Sequence, residues 1–245
     1  MSDWKYQPAR DLDLPRDQRL LSIRRESGLL ATCAQAAWWT AAHGYLACAH
    51  RLKIIGREHL PTAAPFVLVA NHASRLDVFC LASALPLRLR ERLLPIAAGD
   101  VFFQTHAHAR LSSWLLNALP MWRHNCGPHA LKELRTRLVE EPCGYVLFPE
   151  GTRSRDGELG EFKAGAGMLV AGTPAPVVPC YIEGAHAAWP PARRWPRPGA
   201  VRLHVGKPLR FDDLPNRRAS WREVVEQLDR AVRDLREQAQ SPSQA

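Results

Sequence analysis

A valine-rich apolar run, Phe66-Val-Leu-Val-Ala70, follows a proline and stops abruptly at the polar pair Asn71-His72. A short, uncharged, β-branched run of this kind reads as a buried strand. The apolar period then changes. Val78, Phe79, Leu81 and Ala82 supply one side of a helix expected to begin at Ser74. His72 therefore stands where a strand ends and a helix starts, the place where α/β proteins put ligand sites.

The rest of the chain repeats that alternation. Strands are expected at 52–55, 94–98, 118–122, 144–148, 176–182 and 201–205, and helices at 102–116, 128–141, 165–170 and 217–239. In the last helix Trp221, Val224, Val225, Leu228, Val232 and Leu235 share a face. Asp156-Gly157 marks a turn, and four prolines make 189–198 a loop. Strands separated by helices predict an α/β single domain with a mostly parallel sheet flanked by helices. At 245 residues, 46% of them apolar, the chain has enough material for one sizeable core.

Residues 27–50 contain no Lys, Arg, Asp or Glu and are long enough to cross a bilayer. Alanine dominates, however, and Thr32, Gln35, Thr40 and His43 interrupt the segment. Arg24 and Arg25 before it and Arg51 and Lys53 after it set no orientation. Three readings stand: one or two N-terminal membrane-interface helices displaying Trp38, Trp39 and Tyr45, a core helix, or a span. We take the interfacial reading, with 1–50 as a helical membrane-association segment, 51–240 as the catalytic domain and 241–245 as a disordered tail. The loop at 189–198 brings two Trp and three Arg together, either at anionic headgroups or in solvent.

A net charge of +9 favours acidic partners such as anionic lipid or phosphorylated small molecules. Nucleic acid is not expected, since no basic run is interleaved with aromatics. None of the six cysteines forms C-x-x-C, and their placement suits small core residues in a reducing compartment. No signal peptide is visible. His106 and His108 point to different faces of one helix, so they are not expected to bind a metal.

His72 and Asp77 carry the chemistry. A carboxylate reaching back to an imidazole makes the smallest unit that takes a proton from a hydroxyl at neutral pH. Ser74-Arg-Leu-Asp77 fits a helix-capping box equally well, with Asp77 merely satisfying backbone N–H groups. A second stretch, Phe148-Pro-Glu-Gly-Thr-Arg-Ser154, supplies a glycine that allows close approach of a ligand and an arginine whose planar fork matches phosphate. Lys163 and Arg123 add cations near strand ends.

Taken in order, Asn71-His72-x4-Asp77, Trp122-Arg123, Phe148-Pro-Glu-Gly-Thr-Arg-Ser154 and Val178-Pro-Cys-Tyr-Ile182 resemble the four motifs of the glycerolipid acyltransferase family, the 1-acylglycerol-3-phosphate acyltransferases and their relatives. The second motif departs, with Ala118-Leu-Pro-Met-Trp122 where the family more often has Gly and Ile-Phe-Ile, and Cys180 stands where Val is usual. The resemblance implies a glycerol-3-phosphate/lysophosphatidate acyltransferase-like fold and transfer of an acyl group from acyl-CoA or acyl carrier protein to a lyso-phospholipid. It implies no metal and no bound cofactor, and it implies a peripheral or monotopic protein on the cytoplasmic membrane face. It makes His72 the general base and Asp77 its partner. Asn71, Ser74, Arg75, Arg123, Glu150, Gly151, Thr152, Arg153 and Lys163 then lie on the substrate side, with Pro179 shaping the acyl site. The acceptor is expected to be 1-acyl-sn-glycerol-3-phosphate. Another lyso-lipid acceptor, or hydrolysis of the lipid or thioester, is the alternative, ahead of a non-catalytic membrane-binding module.

Overall fold

The computed structural model describes residues 29–98, 119–121, 128–141 and 143–241. The expected helix at 102–116 with His106 and His108, together with Arg24, Arg25, Arg123 and Cys126, lies outside these residues. Seven strands form one sheet: β1 (Lys53–Ile55), β2 (Phe66–Ala70), β3 (Leu93–Ala98), β4 (Leu119–Met121), β5 (Gly144–Leu147), β6 (Val177–Glu183) and β7 (Arg202–Val205). Their order across the sheet is β1-β7-β6-β2-β5-β3-β4. All neighbours pair in parallel except β6 and β7, so β1 and β7 run opposite to the other five.

The helices are α1 (Leu29–His50), α2 (Asp77–Ala84), α3 (Leu87–Arg90), α4 (Pro128–Glu140), α5 (Gly165–Val170), α6 (Ala185–Ala188) and α7 (Arg218–Gln240). A strand with helices on both sides must be apolar at every position, because successive side chains point to opposite faces. β2 shows this directly. Val67 and Val69 pack in one core with Leu134 of α4, Leu169 of α5 and Val224, Leu228 and Val232 of α7. Phe66, Leu68 and Ala70 pack in the other with Trp39 and Leu46 of α1 and Cys80 and Leu81 of α2. Tyr145 and Val146 divide between the two cores in the same way.

Three strand prolines, Pro95, Pro120 and Pro179, sit where the ladder tolerates them, Pro120 in β4 at the end of the strand order. Pro95 precedes the β3 residues that pair with β4, and Pro179 stands one residue outside the β6–β7 register. A proline there forfeits little, because its missing N–H has less of a partner to lose.

α2 begins at Asp77 rather than at Ser74 as expected. Ser74 is instead locked into the preceding turn. Its hydroxyl donates to the Trp189 carbonyl and accepts from the Leu76 N–H.

The uncharged N-terminal segment forms one continuous helix, α1. Gln35, Trp39, Leu46 and His50 are buried along one stripe, and the Phe79 ring meets Trp38 and Trp39 at 6.2 and 5.8 Å between centroids. Cys33, Thr40, His43, Tyr45 and Cys48 face outward. Among the described residues, no helix is long and apolar enough to cross a membrane.

Candidate active site

Three loops leave the C-terminal ends of adjacent parallel strands β2, β5 and β6 and meet one another. At the end of β2, His72 turns its ring so that Nδ1–H donates to Asp77 Oδ2 at 2.8 Å. The same oxygen accepts the backbone N–H groups of Ala73 and Ser74, each at 2.8 Å. Asp77 thus closes the turn and holds the imidazole with one atom, so the capping and the imidazole-orienting contacts coexist. Its carboxylate is wholly buried, while the His72 side chain keeps 17% of its surface exposed. Hydrogen bonds accepted by a carboxylate are charge-assisted and are the stronger kind. With Nδ1 committed as a donor, neutral His72 carries its lone pair on Nε2.

The His72 backbone is fixed from the β5 side. Its N–H donates to Glu150 Oε1 at 2.8 Å, and its carbonyl accepts the Ser154 N–H at 2.7 Å. The second Glu150 oxygen, Oε2, accepts the Gly160 N–H at 3.1 Å. Burial raises the Glu150 carboxyl above its ordinary range, and the two N–H donors oppose that shift. Phe148, the first residue after β5, stacks on the imidazole with centroids 4.0 Å apart and planes 15° from parallel. The ring of His72 is thus set by Asp77 at its edge and Phe148 on its face.

The remaining candidate residues divide. Gly151 adopts φ +72°, which favours glycine. A Cβ placed there would come within 2.9 Å of Lys163 Nζ, so Lys163 lies over the Gly-Thr-Arg turn. The Lys163 N–H donates to the Pro149 carbonyl at 2.9 Å, which brings the two segments together. Thr152 is exposed and Arg153 is half-buried in the same turn. Asn71 turns away. Its amide exchanges two hydrogen bonds with the backbone of Ile182, bracketing β2 against β6. Arg75 is directed to the β6 loop, donating to the Pro191 carbonyl at 3.3 Å and lying 5.7 Å over the Trp189 ring. Pro179 is buried beside Val69, with its carbonyl accepting the Gly206 N–H.

Phe148, Ser154 and Gly160 enter the site without having been singled out as site residues from sequence. Phe148 and Ser154 belong to the recognised motif. Gly160 had no distinguishing signal, because its role is to leave room for Glu150 Oε2, 2.9 Å from where its Cβ would stand.

Three of the described cysteines are placed poorly for nucleophilic work, while Cys33 and Cys48 lie exposed on α1, away from the turn. Cys80, Cys143 and Cys180 are buried. Burial pushes the Cys180 thiol up to about 12 and the Cys143 thiol to about 11. It also raises Cys80, with help from the Asp77 charge. A nucleophilic cysteine needs the thiolate, which these surroundings disfavour. Among the described residues, no group of three or more His, Cys, Asp or Glu side chains is arranged to hold a metal ion.

Known proteins share both fold and sequence with this chain. The crystal structure of the 1-acyl-sn-glycerophosphate (LPA) acyltransferase PlsC from Thermotoga maritima superposes with a TM-score of 0.65 over 87% of this chain and 81% of that one. The two are 24% identical, so that likeness is one of fold. The 1-acyl-sn-glycerol-3-phosphate acyltransferase alpha of Mus musculus is 28% identical over 167 residues, 67% of this chain. The 1-acyl-sn-glycerol-3-phosphate acyltransferase of Limnanthes douglasii is 30% identical over 169 residues, 66% of this chain. The matched part spans 56% of the length of each of these two relatives. A family model described as Acyltransferase matches residues 51–183, a segment that contains His72, Asp77 and the whole Phe148–Ser154 turn. With more than half of its length matched, the chain belongs to the acyltransferase family.

Proposed function

We propose that this chain is an O-acyltransferase that moves a fatty acyl group from acyl-CoA or acyl carrier protein to the free hydroxyl of a lyso-glycerolipid. The proposed acceptor is 1-acyl-sn-glycerol-3-phosphate and the product phosphatidic acid. The observation that carries the reading is the pairing of a partly exposed His72 with a wholly buried Asp77 at 2.8 Å, within a chain of the acyltransferase family. In this reading His72 Nε2 takes the acceptor's hydroxyl proton as the oxygen attacks the thioester carbonyl. Asp77 holds the tautomer and stabilises the imidazolium. The thiol leaving group, with a pKa near 8.5, departs with little acid assistance. Lys163, Gly151, Thr152 and Arg153 are assigned to the acceptor's phosphate, and Arg123 is assigned there by family resemblance. Pro179 is assigned to the acyl side. We place the protein on the cytoplasmic membrane face, with residues 1–50 as its attachment segment. Support comes from α1, which carries no charged side chain and leaves one side, including Tyr45, outside the core.

The test is an acceptor screen. Purified protein is incubated with labelled acyl-CoA or acyl carrier protein and a panel of lyso-lipids, and products are read by mass spectrometry. Phosphatidic acid formed only when 1-acylglycerol-3-phosphate is present supports the reading. Free fatty acid released at the same rate with and without acceptor would replace it with hydrolysis.

Arg153→Ala is expected to raise the acceptor KM by roughly ten- to a hundredfold, the equivalent of one charge-assisted hydrogen bond. Steady-state kinetics with each substrate varied in turn decides the point. A loss confined to the donor KM would assign Arg153 to the other substrate.

Glu150→Gln probes a different role. Both Glu150 oxygens accept backbone N–H groups, so a carboxamide must aim its own NH2 at the N–H of His72 or of Gly160. We expect kcat to fall about tenfold or more, as misplacement of a reacting group by a fraction of an ångström does, with the acceptor KM nearly unchanged. A raised acceptor KM with kcat intact would return Glu150 to the substrate side. The pH dependence has a definite sign. A carboxyl raised in the folded state loses stability as pH climbs from its ordinary value to its raised one. The Gln variant should lack that decline, which thermal melts at a series of pH values will record.

A further inference from the structure

We infer that the loop at 189–199 is a second membrane contact, distinct from α1, that seats in the headgroup layer of an anionic lipid surface. The inference rests on the reading that the acceptor is a membrane lipid. It starts from Trp195, which is 70% exposed, the largest exposure of any large apolar side chain among the described residues. Floppiness does not account for this. Pro190, Pro191, Pro196 and Pro198 stiffen the loop, and backbone bonds tie it down on both sides. The Arg193 N–H donates to Pro190, the Arg197 N–H to Ala188, and the Gly199 and Val201 N–H groups to Ala49 and His50. The Trp189 indole donates to the Arg193 carbonyl at 3.1 Å. The fold thus holds an indole outward.

The charge along that loop has one sign. Residues 184–211 contain no Asp or Glu. Arg193 bends back onto the carbonyl of Ala187 at the end of α6, but Arg194 and Arg197 are exposed. The Arg194 guanidinium lies 5.6 Å over the Trp195 ring. An amphipathic indole flanked by two cations matches the interface of an anionic bilayer, where Trp prefers the headgroup level and each nearby arginine strengthens partitioning roughly fivefold. A fluid lipid layer accommodates a projecting side chain without a complementary pocket. An acidic carrier protein would have to supply one.

The loop is also braced to the catalytic turn. Ser74 donates to the Trp189 carbonyl at 2.8 Å, and Arg75 reaches the Pro191 carbonyl and covers the Trp189 ring. Its far end is bonded to the last residues of α1, one turn beyond the exposed Tyr45. Lipid contact at this loop would therefore set the position of His72 relative to the bilayer as well as the strength of attachment.

The experiment uses the full chain and two variants, Trp195→Ala and Arg194→Gln/Arg197→Gln. Their partitioning is measured on vesicles of phosphatidylcholine alone and of phosphatidylcholine with 30% phosphatidylglycerol (about that fraction suffices for charge attraction). Brominated lipid is added to quench tryptophan fluorescence. Turnover is measured in parallel with a short-chain 1-acylglycerol-3-phosphate dissolved as monomers. Trp195→Ala is expected to weaken partitioning severalfold and to remove part of the quenching. The double arginine variant should weaken it roughly ten- to thirtyfold on the anionic vesicles and little on the neutral ones. Turnover on the dissolved acceptor should be unchanged in both. Unchanged partitioning and quenching in both variants would overturn the inference, as would intact vesicle binding with weakened use of the carrier-protein donor. If the unaltered protein fails to turn over the dissolved acceptor, the acyl-transfer reading falls, while the vesicle measurements still decide the loop.

Discussion

His72→Ala is expected to lower turnover by at least ~10²-fold, the share usually supplied by a positioned general base. The protein should stay folded. The His72 side chain is partly exposed, and the backbone bonds that pin the turn come from its N–H and C=O, which alanine retains. What is lost is the Nε2 lone pair and the ring stacked on Phe148. The measurement is initial rate at saturating donor and acceptor, alongside a thermal melt. Near-wild-type turnover in a folded variant would remove His72 from the mechanism, and with it the assignment of Asp77 as its partner.

Asp77→Ala should lose as much activity and, unlike His72→Ala, lose stability as well. Its Oδ2 accepts three N–H groups, two of them from the buried backbone of Ala73 and Ser74. Leaving a buried donor unpaired costs about 1–3 kcal/mol, so a drop of several kcal/mol and a clearly lower Tm are expected. Asp77→Asn separates the two roles. An amide oxygen can still accept the three N–H groups, so the turn survives. Its NH2 then occupies the place of Oδ1, which has no hydrogen-bond partner in a buried setting. The amide is neutral and cannot stabilise an imidazolium. A folded Asp77→Asn protein with turnover well below wild type is the expected result. Full activity in that variant would mean that the carboxylate matters only as a cap.

The contrast between the two carboxylates shows what one sequence reveals and what it hides. Asp77 lies five residues from His72 across a strand-to-helix junction, a separation short enough for the contact to be argued from local geometry. Glu150 lies 78 residues from His72. Its place beside the histidine backbone follows from β2 pairing with β5, with Val69 opposite Leu147. No single-sequence period encodes that neighbour relation, and the substrate-side role of Glu150 is what the family resemblance implies. The central strands were legible because helices cover both faces of the sheet there and bury runs such as Phe66–Ala70 and Gly144–Leu147 at every position. The expected start of α2 was early because Ser74, a common N-cap, spends its hydroxyl on Trp189, 115 residues away. In α1, alanine holds half of the positions between Gln35, Trp39, Leu46 and His50 and blurs the stripe that turns inward. An uncharged helix of that kind suits a core, an interface or a bilayer by composition alone.

The brackets on either side of His72 have a consequence for how the chain is born. A ribosome delivers Asn71, His72 and Asp77 long before it delivers Glu150, Ser154 and Gly160. Through that interval the imidazole and its carboxylate exist without the groups that hold the histidine backbone from the β5 side. Central strand β2 also waits for both of its sheet neighbours, β5, made just before Glu150, and β6, made after Gly160. A nascent chain therefore carries the His72–Asp77 pair but not the framework that aims it. The frame around His72 is completed only when the middle of the sheet closes, after β6 has been made.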